Sequence, residues 1–545
     1  MAGTFVAGAD GTFVLGGALP FDMQASTDLR SARPGPRNAR PAARSRPAVH
    51  RQDSRPEPSR PERERHDLDA PQRILFVTSE IADFIKAGGL GEVSAALPRT
   101  LRQQYDVRIL IPGYRQVLER YDDVPVVGRL GAAFGLPACE IGRIDTSDGL
   151  TLYVLLCPDL YDREGSPYGD AAGLDWADND VRFGRLALAA AEIACGVGDL
   201  GWRPDLLHLN DWPSALTPGY LAWRGKPMPS VLTIHNLAYQ GLFEAERLPR
   251  LGIPDQAFQI EGVEFYGKLS FLKAGIVYAD HVTTVSATYA REITTPEFGC
   301  GLDGLLRVRA DQGRLTGILN GIDESFDPRT DPHLASPFEP QNLKGKAANR
   351  DEVRKEFGLA VSRGPLFAVV SRLVHQKGVD LAIDAAETIV REGGQIVVTG
   401  RGEGELVSAL EKLAARHPGK VGVRLGFEEG TARRMYAGSD FLLMPSRFEP
   451  CGLSQMYAQK FGSLPIAHRT GGLADTIEDG VTGFLFREPS LSQLLGAVYR
   501  AVDAFRSRKT LNAMRRAAMG RTFAWHRSAM GYKKVYDRAL TGAAG

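Results

Sequence analysis

Two Rossmann-like, doubly wound α/β domains facing each other across a deep cleft are the architecture this chain of 545 residues predicts. Three observations point there. The length exceeds what one ordinary domain takes. From residue 72 onward, short apolar runs alternate with segments of helical period. A strand, a glycine-bearing turn and a helix also follow one another near residue 86 and again near residue 470.

Composition narrows the function classes. Hydrophobic residues make up 43% and charged residues 24%, which is ample for sizeable cores in a globular protein. A net charge of +1 argues against general adhesion to nucleic acid or membranes. No apolar run reaches the length of a membrane span, and the longest, residues 186–197, is interrupted by Glu192. Cys139, Cys157, Cys195, Cys300 and Cys451 show no metal-ligand spacing, so neither a zinc site nor a disulfide framework is expected. The first residues lack a basic stretch followed by an apolar core. A cytoplasmic setting follows from both.

Residues 1–71 stand apart. Residues 31–65 are rich in Arg and Pro and almost without large apolar side chains, so the extension is expected to be disordered. Asp10, Asp22, Asp53, Glu57 and Glu62 argue against a transit peptide, and a solvated extension is preferred to a polyanion-binding arm. The first domain is read over residues 72–322. Residues 73–78 form a buried-strand pattern, Gly88 and Gly89 a loop, residues 90–103 a helix and residues 107–112 the next strand. Further strands are read at 152–156, 206–209, 230–234 and 281–286. Those at 206–209 and 230–234 end in polar tips, Asn210-Asp211 and His235-Asn236, and ligands of open α/β sheets sit beyond such carboxyl ends. Asn320-Gly321 marks a turn and hinge. The second domain, residues 323–522, repeats the scheme with strands at 366–371, 395–400, 422–426, 441–444 and 464–467.

The candidate chemistry lies at those strand ends. Lys86 with Gly88 and Gly89 suits a phosphate, because glycines let backbone amides approach and the lysine adds charge. It is not a Walker loop. Arg372 and Lys377 place two cations where a departing diphosphate can be stabilised, although a solvated pair at a helix start is common. A histidine past a buried strand, such as His235, is more often structural than catalytic, but Asn236 and Asp211 make a polar cluster of it. Asp178-Asn179-Asp180 has the DxD form of metal-dependent sugar transferases and is read instead as a polar loop, with no metal cluster evident. Glu449, between Phe448 and Pro450 and just before a helix, suits sugar hydroxyls, which donate to a carboxylate. Arg469-Thr470-Gly471-Gly472-Leu473-Ala474-Asp475 echoes Lys86-Ala87-Gly88-Gly89-Leu90-Gly91-Glu92.

From about Arg73 to Tyr536 the chain resembles the bacterial glycogen synthases and plant starch synthases, retaining glycosyltransferases of GT-B type. The matching segments are residues 86–93, 209–216, 233–241, 270–275, 319–323, 371–378 and 445–453. The resemblance implies transfer of glucose from ADP-glucose to the 4-hydroxyl at the non-reducing end of an α-1,4-glucan, with retention. It implies that Lys86, Gly88 and Gly89 contact the donor, that Arg372 and Lys377 neutralise its diphosphate, and that Glu449 holds the glucose hydroxyls beside Gly452. It further implies that His235 backs the reacting sugar near Asp211, that Thr470, Gly471 and Gly472 offer amides to the distal phosphate, and that Phe427 stacks on adenine. Tyr168 is then the acceptor-side aromatic, together with Asp211. No cofactor or metal is implied, since ADP-glucose is a substrate. Nucleic acid and membrane are not expected partners, and a homo-oligomer is left open. Residues 523–545 resemble the family's last helix, which crosses back to the first domain. Ala87 stands where the family usually has Thr and Glu92 where it has Asp, and the N-terminal extension has no counterpart. Two other readings stay open: a related retaining transferase with another nucleotide or a small sugar acceptor, and a non-catalytic glucan-binding protein. A glycogen phosphorylase is not supported, because no segment resembles its pyridoxal site.

Overall fold

The computed structural model describes residues 70–171 and 173–542, together with two short strands, Phe5–Ala7 and Phe13–Leu15, that pair antiparallel. Apart from those strands and Ala70 and Pro71, the expectation for residues 1–71 lies outside the described residues.

The first domain is built on a nine-stranded sheet. Its order is Leu315–Gly317, His281–Thr284, Ser230–Ile234, Leu206–Asn210, Arg73–Val77, Asp106–Pro112, Thr151–Leu156, Cys139–Asp145 and Val126–Leu130. The first seven run parallel; the last two form an antiparallel edge that the sequence reading did not include. Parallel strands are covered on both faces, which is why Leu206–Asn210 and Ser230–Ile234 are buried at every position and read as continuous apolar runs. A three-stranded antiparallel ribbon, Leu242–Glu244, Lys268–Ser270 and Glu264–Phe265, follows the strand Ser230–Ile234.

The second domain carries a six-stranded, fully parallel sheet. Its order is Val421–Leu425, Gln395–Gly400, Leu366–Val370, Phe441–Met444, Leu464–His468 and Phe484–Phe486. Helices such as Val379–Arg391 cover it with apolar residues at helical spacing, here Val379, Ala382, Ala385, Ala386 and Ile389.

Strand order locates the ligand crevices. In the first sheet the chain moves outward from Arg73–Val77 in one direction and later returns to add Leu206–Asn210 on its other side. In the second it does the same around Leu366–Val370 and Phe441–Met444. Adjacent loops diverge at such switch points and leave a crevice beyond the strand ends.

The chain passes between the domains twice, side by side. The Ile322 amide donates to the Phe523 carbonyl over 2.9 Å, and the helix Trp525–Thr541 then lies against the first domain. Tyr536 places its hydroxyl 2.6 Å from His208 Nδ1, and Ser528 donates to the Leu319 carbonyl over 2.6 Å. Tyr532, Val535 and Tyr536 are buried there. Each such burial contributes about 2 kcal/mol, so together they rival the net stability of a domain. The helix is thereby part of the first domain's core. Among the described residues, no helix is long and apolar enough to cross a membrane.

Candidate active site

On the first domain the site begins where Arg73–Val77 ends. Glu80, only 3% exposed, accepts the amides of Ala87 and Gly88 on one carboxylate oxygen, at 2.7 and 2.9 Å. On the other it accepts the Tyr168 hydroxyl at 2.6 Å. The loop thus held leads into the helix Gly89–Leu101, and Lys86 forms an ion pair with Glu92 across its mouth. The space where a Cβ of Gly88 or Gly89 would stand is open. Tyr168 packs its ring against Phe183 and Trp212 with its hydroxyl turned to Glu80.

The neighbouring strands Leu206–Asn210 and Ser230–Ile234 pair Asn210 with Thr233, so their polar tips adjoin. Asp211 adopts a left-handed backbone, φ 52°, which costs a non-glycine residue about 1 kcal/mol and aims its carboxylate at the His235 amide, 2.7 Å away. Burial pushes the Asp211 carboxyl up to about 7, against the pull of the His235 and Asn236 amides. His235 Nε2 lies 3.0 Å from Asn210 Oδ1, while Asn210 Nδ2 donates to the Val77 carbonyl. That arrangement makes Oδ1 an acceptor and assigns the ring proton to Nε2. Burial lowers His235 to about 3, so the ring is neutral.

The second domain supplies the facing half. After Leu366–Val370 the chain makes a tight turn, His375–Lys377, and passes through Gly378 at φ 65°. A side chain at Gly378 would meet the Pro445 carbonyl at 2.0 Å. This close passage delivers Lys377 to Glu449, with Nζ at 2.6 and 2.8 Å from the two carboxylate oxygens. Glu449 is 5% exposed and also accepts the Ser446 hydroxyl at 3.1 Å. Arg447 chelates Asp380 at 2.9 and 2.7 Å and fixes the turn. Gly452, φ 68°, bends the chain into the helix Ser454–Lys460.

Two contacts between a cationic side chain and an aromatic one reach from one domain to the other. Arg372 Nη1 lies 3.5 Å from the Tyr239 hydroxyl, and Lys86 Nζ lies 6.0 Å from the centroid of the Phe427 ring. Both aromatic rings are partly open to solvent. Lys86 and Phe427 thus face each other at one point between the domains, and Arg372 and Tyr239 at another.

The Thr470-Gly471-Gly472 turn makes contacts within the protein that its sequence did not suggest. The Gly471 amide and Thr470 hydroxyl donate to Glu292 of the first domain at 3.0 Å, and the Gly472 amide donates to the Glu449 carbonyl at 3.0 Å. Both glycine amides are thus engaged by protein acceptors in this structure. Asp178-Asn179-Asp180 is not a polar loop either. Asn179 and Asp180 are buried and open the helix Asn179–Ala194, with Asp178 chelated by Arg163. The acidic letters hid a helix start, where Asp and Asn are favoured. Among the described residues, no group of three or more His, Cys, Asp or Glu side chains could hold a metal ion.

Glu80, Tyr239 and Glu292 were not singled out by sequence. Glu80 had a visible signal, a carboxylate directly after a buried strand at the switch point. Glu292 had none, since its partners are 178 and 179 residues away.

Residues 73–308 match the starch synthase catalytic domain, and residues 350–518 match the glycosyl transferases group 1 family. The chain is 61% identical over 456 residues to glycogen synthase 1 of Bradyrhizobium diazoefficiens, spanning 84% of this chain and 99% of that one. It is 60% identical over 466 residues to the glycogen synthase of Pseudomonas putida, spanning 86% and 90%. Among solved structures, the catalytic domain of starch synthase IV from Arabidopsis thaliana, bound to ADP and acarbose, superposes with a TM-score of 0.76 at 30% identity. That alignment covers 86% of this chain and 99% of the other. A sucrose-phosphate synthase from Thermosynechococcus elongatus, at 17% identity and a TM-score of 0.55, shares the fold.

Proposed function

The chain belongs to the glycogen synthase and starch synthase family, and from that premise we propose that it transfers glucose from ADP-glucose to the non-reducing-end 4-hydroxyl of an α-1,4-glucan with retention of configuration. The observation that carries the proposal is the meeting of two half-sites, Lys86 against Phe427 and Arg372 against Tyr239, together with a buried Lys377–Glu449 pair.

In this reading the donor diphosphate lies between Lys86 and Arg372, within reach of Lys377, and the Phe427 ring is the surface for adenine. As the glycosidic bond to phosphate breaks, negative charge grows on the leaving oxygen, and fixed cations stabilise it more than they stabilise the ground state. We assign that task to Arg372 and Lys377 without a metal, so transfer is expected to persist in a chelator. Glu449 accepts hydroxyls of the glucose ring, and its own charge is already balanced by Lys377. Among the described residues the Glu449 carboxylate is hydrogen-bonded to Lys377 and Ser446 and not to a second carboxyl, and we assign no nucleophile of the kind double displacement would require. The acceptor hydroxyl accordingly attacks on the leaving-group face and passes its proton to the departing phosphate. His235, neutral and oriented by Asn210, borders the reacting sugar as a hydrogen-bonding group rather than as a charged acid. Closure of the cleft excludes water and keeps the donor from hydrolysis. We place the enzyme in the cytoplasm, in keeping with five free cysteines.

The test is incorporation of labelled glucose into glycogen from ADP-glucose and, in parallel, from UDP-glucose. Preference for ADP-glucose is the expected result. Equal use of both donors would overturn the donor assignment, and use of neither would overturn the activity.

A further inference from the structure

We propose that Glu80 is the positioning residue that sets the Lys86 loop and the Tyr168 ring in one register, so that a single carboxylate holds the donor and acceptor sides of the first-domain site together. The proposal rests on the synthase reading above and deepens it.

The geometry is specific. Glu80 Oε2 accepts the amides of Ala87 and Gly88 at 2.7 and 2.9 Å, and Oε1 accepts the Tyr168 hydroxyl at 2.6 Å. Ser79 Oγ stands 2.9 Å from the same hydroxyl and completes it as a donor. The backbone under Glu80 is itself fixed: its amide donates to Thr78 Oγ1 at 3.2 Å, and that oxygen is 2.8 Å from Ser94 Oγ in the helix the loop opens. A carboxylate that is 3% exposed is tolerated only where hydrogen bonds replace its water, and here three do so.

The loop is anchored on either side by the Ile81–Ile85 bridge and the Lys86–Glu92 ion pair, and Glu80 holds the backbone between them. Lys86 and Gly89 are exposed, and no atom lies within 4 Å of the Cβ positions of Gly88 and Gly89. The Ala87 and Gly88 amides have no other acceptor among the described residues. Glu80 therefore holds the Ala87–Gly88 backbone, and with Glu92 sets where Lys86 stands relative to the donor. Through its other oxygen it decides where the Tyr168 hydroxyl stands. Misplacement of a binding group by about 1 Å is enough to lower a rate about 100-fold.

Three variants separate this role from simple support of the fold. In Glu80→Gln the amide carbonyl can accept both loop N–H groups while its NH2 donates to the Tyr168 oxygen, whose proton turns to Ser79. Activity within about threefold of wild type is expected, because the geometry is preserved. Glu80→Ala should raise KM for ADP-glucose and KM for glucan each by about tenfold, and weaken ADP binding measured by calorimetry to a similar degree. Tyr168→Phe should raise KM for glucan alone, leaving ADP affinity within about twofold. Unchanged ADP affinity in Glu80→Ala, a loss confined to kcat, or equal damage in Glu80→Gln and Glu80→Ala would each overturn the proposal. Should the wild type bind ADP yet extend no glucan, the synthase reading fails, while ADP affinity across the variants still decides the role of Glu80 on the loop.

Discussion

Lys86-Ala87-Gly88-Gly89-Leu90-Gly91-Glu92 and Arg469-Thr470-Gly471-Gly472-Leu473-Ala474-Asp475 each lead from a parallel strand into a helix, one in each domain. Their fates differ. Around Gly88 and Gly89 there is open space and a lysine at the cleft. Gly471 and Gly472 are buried, and side chains there would meet the carbonyls of Glu449 and Cys451 at 1.9 Å. Each turn has its first amides held by a glutamate, but Glu80 belongs to the same domain as its loop, while Glu292 reaches across from the other. The exchange at the second turn is reciprocal, since Asp475 accepts the Thr288 amide and hydroxyl at 2.9 and 2.6 Å. One pattern is thus left open in the first domain, where we propose that it meets the donor, and forms a joint between domains in the second. Glycine supplies access in the former and close approach in the latter.

The largest effect expected from this contrast is on folding. Gly472→Ala drives a Cβ into a backbone carbonyl that no side-chain rotation can relieve, and overpacking of that kind costs about 3 kcal/mol or more. A fall of about 10 °C in melting temperature follows for a domain of this size. Gly89→Ala meets no atom and should melt with the wild type while impairing turnover. Similar melting of both variants would erase the distinction between the turns. Next in size is the pair of cations. Lys86→Ala removes a charge we place at the diphosphate and should lower kcat/KM for ADP-glucose about 100-fold, in the range of lost transition-state donors. Arg469→Ala, at the matching but exposed position beside the joint, should leave kinetics within about twofold, as surface changes do. Steady-state assays on the two variants would reveal whether the resemblance between the turns extends to chemistry.

These differences explain what the sequence disclosed. The buried parallel strands were legible because covering on both faces favours apolar residues, and the adjoining tips at Asp211 and His235 were legible because polar residues end both strands. The antiparallel edge Val126–Leu130 and Cys139–Asp145 escaped notice because Gly128, Arg129, Glu140 and Arg143 break the apolar pattern. Asp178-Asn179-Asp180 was misread because acidic and amide side chains favour loops and helix starts alike. The contacts of the second glycine turn were not legible for a deeper reason. Its occupant, Glu292, is set by how the two domains meet, and local sequence carries no trace of that.

The joint itself can be weakened without touching the ligand loop. Glu292→Ala leaves the Gly471 amide and the Thr470 hydroxyl without their acceptor, a loss of about 2 kcal/mol for partly buried groups. Calorimetric melting should fall by several degrees, with ADP affinity close to wild type. Weaker ADP binding would instead mean that the joint sets the cleft geometry.

The smallest effect tests what kind of anion the joint holds. Burial raises the Glu292 carboxyl above its usual value, opposed by the Gly471 amide and the Thr470 hydroxyl. A carboxyl with a raised folded pKa binds its proton more readily in the folded state. Its contribution is complete below the unfolded pKa of about 4.3 and is lost as pH rises through the folded value. In Glu292→Gln the side-chain carbonyl still accepts both hydrogens but does not titrate. The stability of wild type relative to that variant should therefore decline from about pH 4 upward, by no more than about 1.4 kcal/mol per pH unit for one proton, and then level off. A relative stability that climbs with pH would mean that the amide and hydroxyl outweigh burial. The joint would then bind its carboxylate as a helix mouth binds an anion, and the two glycine turns would be alike in electrostatics after all, differing only in whether the anion comes from the protein or from the substrate.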